Sequence, residues 1–518
     1  MLTGEMLRRA AHRFPEKPAI IFRDGTAREQ LLYRELDAMA DRIANAMLSL
    51  KLPKGAIVSM LCRNLPVYGA AFFGVARTGY VFNNISVLYA PDELTYVLNK
   101  SETQVLIYDT HFSERVAAVR GACPQIKHFV AIGDATDIPA GVIDFDSFVA
   151  SHPAKDPEVP IDPRDPFCMT YTGGTTGHPK GVLMHHLARD ITSHSVVVEE
   201  HLDASDVVAI VTPLFHVAAL NIMFQPSVLI GATTVFLARW SPTAFIEAVE
   251  QERITATFLV PTQANVLTTL PDLEQRDLSS WTKLSFAGAP MPDWVQVELM
   301  RRLPQLRLTQ IYGQSEMGVI AVLPWQLVKD KLGTVGRQPY NTDVAVLRQD
   351  GTKADVGEMG EVASRGDNLM VRYYGEPEQT EGFFKPGNGW ALSGDIGVMD
   401  ADGFITLVDR AKDMLISGGE NVYPKEIEVV LYELPEVAEC AVFGIPDPKW
   451  GEVPAAYIQL KAGCTLTEER VIAQCEEKLA RLKRPRLVRF VESFPKTPIG
   501  KIQKNLLKAP YWQGSKKI

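Results

Sequence analysis

Cysteine is scarce and scattered in this chain. The six thiols, Cys62, Cys123, Cys168, Cys440, Cys464 and Cys475, include no C-x-x-C pair and no histidine at metal-ligand spacing. Disulfide scaffolds and zinc modules are excluded, and reduced thiols in a cytoplasmic setting are expected. Basic charge is not in excess: 53 Lys and Arg face 62 Asp and Glu, a formal charge of −9. Nucleic acid is therefore not expected as a partner. Residues 1–21 hold arginines and two prolines where a secretory leader would need an apolar core. Long apolar runs are missing too. Residues 207–238 lack Asp, Glu, Lys and Arg, but Pro213, His216, Asn221, Gln225, Pro226 and Gly231 interrupt them. A membrane span needs about 20 mainly apolar residues, so a buried strand, a helix and a second strand are predicted there. Gly and Pro, at 37 and 34, are too few and too dispersed for a fibrous or disordered chain.

What is present is ordinary globular material, 46% hydrophobic and 22% charged over 518 residues. At about 150 residues per domain, that is three or four domains' worth of chain. Leu36, Met39, Ile43, Met47 and Leu50 recur at helical spacing. Short β-rich runs follow at 56–61, 105–108, 129–132, 207–211, 258–260 and 284–286, several of them separated by helical stretches. This alternation predicts layered α/β architecture with largely parallel sheet. Past Leu332, glycines punctuate short strands such as 360–364, which predicts a β-rich subdomain closing a large N-terminal domain. A strand at 404–408 then runs into Asp409-Arg410-Ala411-Lys412-Asp413. Beyond it lies a compact α+β pattern: a helix from Pro424, strands at 440–443 and 453–460, and a helix for which Thr465 and Glu468 have capping-box spacing. The expected boundary falls there, giving a large domain at 1–411 and a small, mobile α+β domain at 412–518.

The most informative segment is the run from Tyr171 to Gly181, Tyr-Thr-Gly-Gly-Thr-Thr-Gly-His-Pro-Lys-Gly. A strand at 168–171 feeds a loop rich in glycine. Glycines admit left-handed backbone, so successive N–H groups can turn inward as an anion-binding nest. Thr172, Thr175 and Thr176 add hydroxyls among Gly173, Gly174 and Gly177, and Lys180 adds a full positive charge. A plain flexible turn needs neither the threonine pair nor the lysine. The Walker A loop does not fit, because Lys180 is followed by Gly181 and the glycine spacing differs. The segment reads as a polyphosphate cradle.

The loop resembles the phosphate-loop signature of the AMP-forming acyl-adenylating superfamily, which includes acyl-CoA synthetases, firefly-type luciferases and adenylation domains of peptide synthetases. Further segments resemble that family in the same order: Ala287-Gly288-Ala289-Pro290, Ile311-Tyr312-Gly313-Gln314-Ser315-Glu316, Ser393-Gly394-Asp395, Asp409 to Asp413 with Gly418-Gly419-Glu420-Asn421, and Pro495 to Lys501. Together they span nearly the whole chain. Gly173 departs from the serine found in many members, losing one hydroxyl while keeping the nest.

The resemblance implies ATP and Mg²⁺ as cofactors, coenzyme A as co-substrate, and a small carboxylic acid as partner. Uniting two anions requires neutralisation and positioning. Glu316 resembles the acidic residue that holds Mg²⁺ against the phosphates. Gly288, Ala289 and Pro290, with Gln310, Ile311, Tyr312, Gly313, Gln314 and Ser315, resemble the adenine slot, Tyr312 being the stacking ring. Asp395 resembles the carboxylate that accepts the ribose hydroxyls, and Arg410 its basic partner. Thr175, Lys180 and Lys501 are the implied catalytic groups on the phosphates, Lys501 meeting both the carboxylate and the α-phosphate. Lys412 matches the hinge about which the small domain swings between two half-reactions.

The segment 213–219 resembles the family stretch whose histidine, here His216, caps the acyl pocket. Ala218, Ala219, Gly288, Gly313, Met317 and Gly318 would border the cavity, leaving room for an aryl ring or an extended chain. Gly418, Gly419 and Trp450 are implied at the CoA site, and the basic run Arg481, Lys483, Arg484, Arg486 and Arg489 either meets CoA phosphates or forms a solvated face. The implied activity is that of an acid–thiol ligase making acyl-CoA from a medium- or long-chain fatty acid or an aryl acid. A stand-alone adenylating enzyme that loads a carrier-protein thiol and a non-catalytic nucleotide-binding homologue are the alternatives. Retention of Lys180, Glu316, Asp395, Arg410 and Lys501 speaks against the latter. A homodimer is compatible with the sequence.

Overall fold

The structure, a computed structural model, describes residues 1–172, 179–289, 291–385, 389–410, 413–418, 420–496 and 502–512. By mutual contact the chain divides into two compact units, one of residues 1–343 with 364–391 and one of residues 344–363 with 392–518. The architecture is α/β, as expected. Ala411 and Lys412, on which the expected boundary falls, lie outside the described residues.

The first unit is built on two eight-stranded sheets. In one, the strands Lys283–Phe286, Ala256–Leu259, Val207–Ile210, Thr233–Leu237 and Pro18–Asp24 are parallel neighbours in that order. Arg307–Gln314 extends the parallel run beside Lys283–Phe286, and Gly318–Leu323 turns back antiparallel at the edge. In the other, Pro166–Thr172, Val81–Asn84, Ile57–Leu61, Val105–Asp109 and His128–Ile132 are parallel. Sheets of this kind carry helices on both faces because their strands are apolar on both sides, and Ile57–Leu61 and Val105–Asp109 are buried throughout.

Helices Pro66–Val75 and His186–Glu199 each touch both sheets. The layer between the sheets is knit by rings: Phe72 meets Phe82 and Phe167, Phe73 meets Phe224, and Phe224 meets Phe236 at 5.2 Å. Gly69 permits the approach, since a Cβ there would lie 2.6 Å from Phe224 Cζ. The charge-free stretch is a strand, helix and strand, as predicted, with one addition. Residues Ala218–Phe224 form a π-helix running into the α-helix Gln225–Ile230. Among the described residues no helix is long and apolar enough to cross a membrane.

The second unit holds two antiparallel-based sheets. Asp343–Leu347, Met359–Arg365, Ala391–Met399 and Ile405–Arg410 make a four-stranded one. The other is centred on the long pair Val437–Asp447 and Gly451–Leu460, with helix Pro424–Tyr432 and helix Glu468–Lys478 completing its core. The cap of that last helix is Thr467, not Thr465: its hydroxyl accepts from Arg470 N–H at 3.3 Å, and Glu468 is already the first helical residue. A side-chain oxygen caps only when it reaches the second or third helical N–H, and Thr465 stands too far upstream.

Candidate functional site

Parallel strands gather their ligand-bearing loops at their carboxyl ends, and several of the predicted segments sit there. Lys283–Phe286 ends into Ala287, Gly288 and Ala289. Its neighbour Arg307–Gln314, paired through Phe286 and Gln310, ends into Ser315 and Glu316. Val207–Ile210 ends into the segment carrying His216. Gly173, Gly174, Thr175, Thr176, Gly177, Pro290, Lys412, Gly419 and Lys501 lie outside the described residues.

The loop expected to cradle polyphosphate connects two antiparallel strands, Pro166–Thr172 and Lys180–His185, with Thr172 directly opposite Lys180. Lys180 is thus the first residue of the return strand, its backbone held by the ladder. Its ammonium lies 5.0 Å from the centre of the Tyr373 ring, within cation–π range. Tyr373 belongs to the short strand Arg372–Tyr373, which pairs with the same return strand. Its phenol donates to Glu316 Oε1 at 2.9 Å. Burial, with the Glu316 carboxylate beside it, pushes the phenol's pKa well up, so the proton stays on Tyr373. Glu316 is also held through its backbone: its carbonyl accepts from Met370 N–H at 2.7 Å. Buried Asn368 donates to the Met317 carbonyl at 2.6 Å and props the same turn.

Three glycines in this region have backbone reasons to be glycine. Gly288 has φ +89°, and among the described residues no atom lies within 4 Å of where a Cβ would stand. At Gly313 a Cβ would meet the Gly318 carbonyl oxygen at 2.2 Å, and at Gly318, with φ +65°, the Thr192 hydroxyl at 2.5 Å. The space beside Gly313 is filled by the neighbouring strand's backbone, which corrects the expectation that its missing side chain leaves room for an acyl group. Met317 is fully buried.

His216 stands at a turn before the π-helix, a helix type found often at functional sites. Its Nδ1 accepts from Ala218 N–H at 3.2 Å, and its carbonyl accepts from Leu220 N–H. The path into this turn is fixed from afar. Asn64 donates to Thr212 O at 3.0 Å and accepts from Leu214 N–H at 2.8 Å. Asn64 and Tyr373 were not singled out in the sequence. The signals available were local and weak, a polar residue just past the strand Ile57–Leu61 and a tyrosine pair before Gly375.

In the second unit, Asp395 and Arg410 are cross-strand partners, and Arg410 Nε donates to Asp395 Oδ1 at 2.7 Å. Asp395 is buried. Gly418 has φ +62°, and a Cβ there would come within 2.7 Å of the Trp450 indole. Gly418 N–H also donates to the Trp450 carbonyl at 2.8 Å. Trp450 is 40% exposed, with the Lys449 ammonium 5.1 Å from its ring centre. Two members of the basic run are in ion pairs, Lys483 with Glu426 and Arg484 with Glu476 at 3.2 Å, while Arg489 lies over the Tyr511 ring.

Residues 7–374 match the family described as AMP-binding enzyme, and residues 426–501 match the AMP-binding enzyme C-terminal domain. The chain belongs to the AMP-binding enzyme family. It is 35% identical to a feruloyl-CoA synthase of Amycolatopsis sp over 93% of each chain. It is 33% identical to the long-chain-fatty-acid–CoA ligase FadD13 of Mycobacterium tuberculosis (strain ATCC 25618 / H37Rv), over 98% of each. Among solved structures, the anthranilate CoA ligase AuaEII in complex with anthranoyl-AMP superposes with a TM-score of 0.89 at 25% identity, covering 99% of this chain and 97% of that one. This member of the AMP-binding family therefore has acid–thiol ligases as full-length relatives and falls among the acyl- and aryl-CoA ligases. ATP, a carboxylic acid and CoA are the substrates the family implies.

Proposed function

We propose that the chain is an AMP-forming acyl-CoA synthetase acting on an aryl or a medium- to long-chain fatty acid. The acid attacks the α-phosphorus of ATP, forming acyl-AMP and releasing pyrophosphate. The thiol of CoA then attacks the acyl carbonyl, forming the thioester and releasing AMP. The observation that carries the reading is the series Lys180–Tyr373–Glu316. A cation at the end of the phosphate loop and an acidic residue from a distant turn are tied through one phenol. Lys180 would neutralise phosphate charge, and Glu316 would hold Mg²⁺.

Among the described residues no cluster of three or more His, Cys, Asp or Glu side chains is placed to hold an ion. Glu316 would therefore contribute one carboxylate. That suits Mg²⁺, which binds through one or two carboxylates together with substrate phosphates. Bound Mg²⁺ supplies charge neutralisation at the triphosphate. Asp395 and Arg410 would bind the ribose side of the nucleotide, Ala287 to Pro290 and Gln310 to Ser315 the adenine. His216, with the π-helix behind it, would border the acyl group. Lys501 would stabilise the adenylation transition state, and the small domain from residue 412 would turn about Lys412 before thioester formation.

Relatives named as feruloyl-CoA synthase, long-chain-fatty-acid–CoA ligase and, at 33% identity, indoleacetate–CoA ligase support this choice of acid class. A screen of pyrophosphate release over aryl and aliphatic acids, with and without CoA, tests the proposal. CoA-dependent AMP release with one of these classes is expected. Pyrophosphate release with no CoA-dependent AMP release would favour a carrier-protein thiol as acceptor, and no pyrophosphate with any acid would refute adenylation.

A further inference from the structure

Lys504 lies three residues beyond Lys501, at the first position of the helix Lys504–Lys508. Its ammonium meets Glu428 Oε1 at 2.7 Å, with only 20% and 15% of the two side chains exposed. Glu428, on helix Pro424–Tyr432, accepts as well from Val442 N–H at 2.8 Å in the central strand Val437–Asp447. Asp409 joins the group from the strand Ile405–Arg410: its carboxylate accepts from Lys425 N–H at 2.8 Å. Burial disfavours the charge on Lys504, yet Glu428, Asp409 and Asp413 outweigh it and hold its pKa above the usual lysine value.

The chain on either side of residues 497–501 is pinned. Lys496 and Ile502 form an antiparallel bridge, and Gln503 N–H donates to Pro495 O at 2.8 Å. Lys496 pairs with Glu439 at 2.7 Å. Ile502 packs with Phe443, Tyr457 and Phe494.

Stability alone does not account for the Lys504–Glu428 pair. Taking two charges out of water costs several kcal/mol per ion, and apolar residues of like volume often serve stability as well or better. What a buried pair adds is direction, since away from water few geometries leave both charges satisfied. Glu428 is fixed by its helix and by Val442, so it dictates where the backbone at 504 must lie.

We infer that Lys504 is a positioning residue for Lys501, setting through Glu428 where the 497–501 segment rejoins the fold and hence where Lys501 is presented. The inference rests on Lys501 being the adenylation lysine proposed above. The test measures two half-reactions on the full chain: pyrophosphate release from ATP and acid, and conversion of supplied acyl-AMP to acyl-CoA. Lys504→Met lowers kcat of the first about 100-fold, the loss that follows an ångström of misplacement. The KM values for ATP and acid stay within about threefold, because ground-state binding is untouched, and the second half-reaction is retained. Lys504→Arg, which keeps the charge, recovers most of the first step. Glu428→Gln reproduces the loss and provides a second route if Lys504→Met does not accumulate as folded protein. Equal loss in both half-reactions, or a first step at the wild-type rate, overturns the inference. Lys501→Ala run alongside separates the two failures. If Lys501→Ala still adenylates, the underlying reading falls; if it does not while Lys504→Met does, only the positioning role falls.

Discussion

Tyr373 donates its phenolic hydrogen to Glu316 and holds its ring face toward the ammonium of Lys180. One side chain thereby orients the two charged groups proposed for the triphosphate and its metal. Its own position is set by the ladder between Arg372–Tyr373 and Lys180–His185, with Tyr373 opposite Val182. A displacement of the return strand would move Lys180 and the Glu316 contact together.

The first prediction follows from that coupling. Tyr373→Phe keeps the ring, and so the cation–π contact, but removes the donor to Glu316. A hydrogen bond to a charged group contributes about 1.5–3 kcal/mol. With part of that recovered by solvent, KM for Mg·ATP should rise about tenfold with KM for the acid unchanged. Titration of Mg²⁺ at fixed ATP gives the check: a midpoint shifted upward agrees, and an unmoved midpoint would mean that Glu316 needs no orientation by Tyr373.

A second prediction concerns Asp395 and Arg410. Arg410 has 43% of its side chain exposed, so the pair's contribution to folding is heavily screened. Arg410→Gln should cost at most about 1 kcal/mol of stability. Binding is another matter, because the two are proposed to serve one nucleotide. KM for ATP should rise about tenfold in Arg410→Gln and more in Asp395→Ala, whose loss removes the acceptor itself. A large drop in melting temperature with ATP binding intact would reverse the assignment, making the pair structural.

The layered α/β order was legible because its buried strands are short contiguous β-rich runs, as in 57–61 and 105–109, set between stretches of helical spacing. The expectation of a phosphate loop rests likewise on contiguous residues, of which Gly173 to Gly177 lie outside the described ones. Contacts between distant residues were not legible. Asn64 reaches the 212–214 backbone across about 150 positions of sequence, and Tyr373 reaches Glu316 across 57. The smallness of Gly313 was visible, but not that the backbone of Gly318 uses the space. The π-helix at Ala218–Phe224 has no periodic signal, since its residues are all buried and all but Asn221 are apolar.

Gly288 supplies a third prediction, in which two effects must be separated. Its φ of +89° is one that side-chain-bearing residues rarely adopt, although among the described residues no atom stands within 4 Å of the missing Cβ. Gly288→Ala should therefore cost about 1–2 kcal/mol through backbone strain alone, with the same fractional loss of kcat/KM for short, long and aryl acids. Gly288→Leu adds volume to the same strain. If Gly288 borders the acyl group, Leu should fall below Ala only for long and aryl acids, by about tenfold or more. Identical selectivity in Ala and Leu would remove Gly288 from the acyl site and leave it to the adenine side.

The last prediction concerns stability and pH. Glu200, just past helix His186–Glu199, is buried, and burial pushes its pKa up to about 8, against the opposing effects of Ser285 and Lys283. Lys283 is itself paired with Asp206 at 2.7 Å, so little of its charge is left for Glu200. Between the unfolded and folded pKa values the native state binds a proton that the unfolded chain has released. Stability from this group is fully present below the unfolded pKa and is lost as pH rises through the folded one. Melting temperatures taken from roughly pH 5 to pH 9 should fall on the alkaline side in the wild type. Glu200→Gln, which keeps the shape and cannot ionise, should fall less over the same range. Parallel profiles for the two proteins would show that Glu200 ionises without cost, and that the carboxyl is reached by water or by a partner cation in solution.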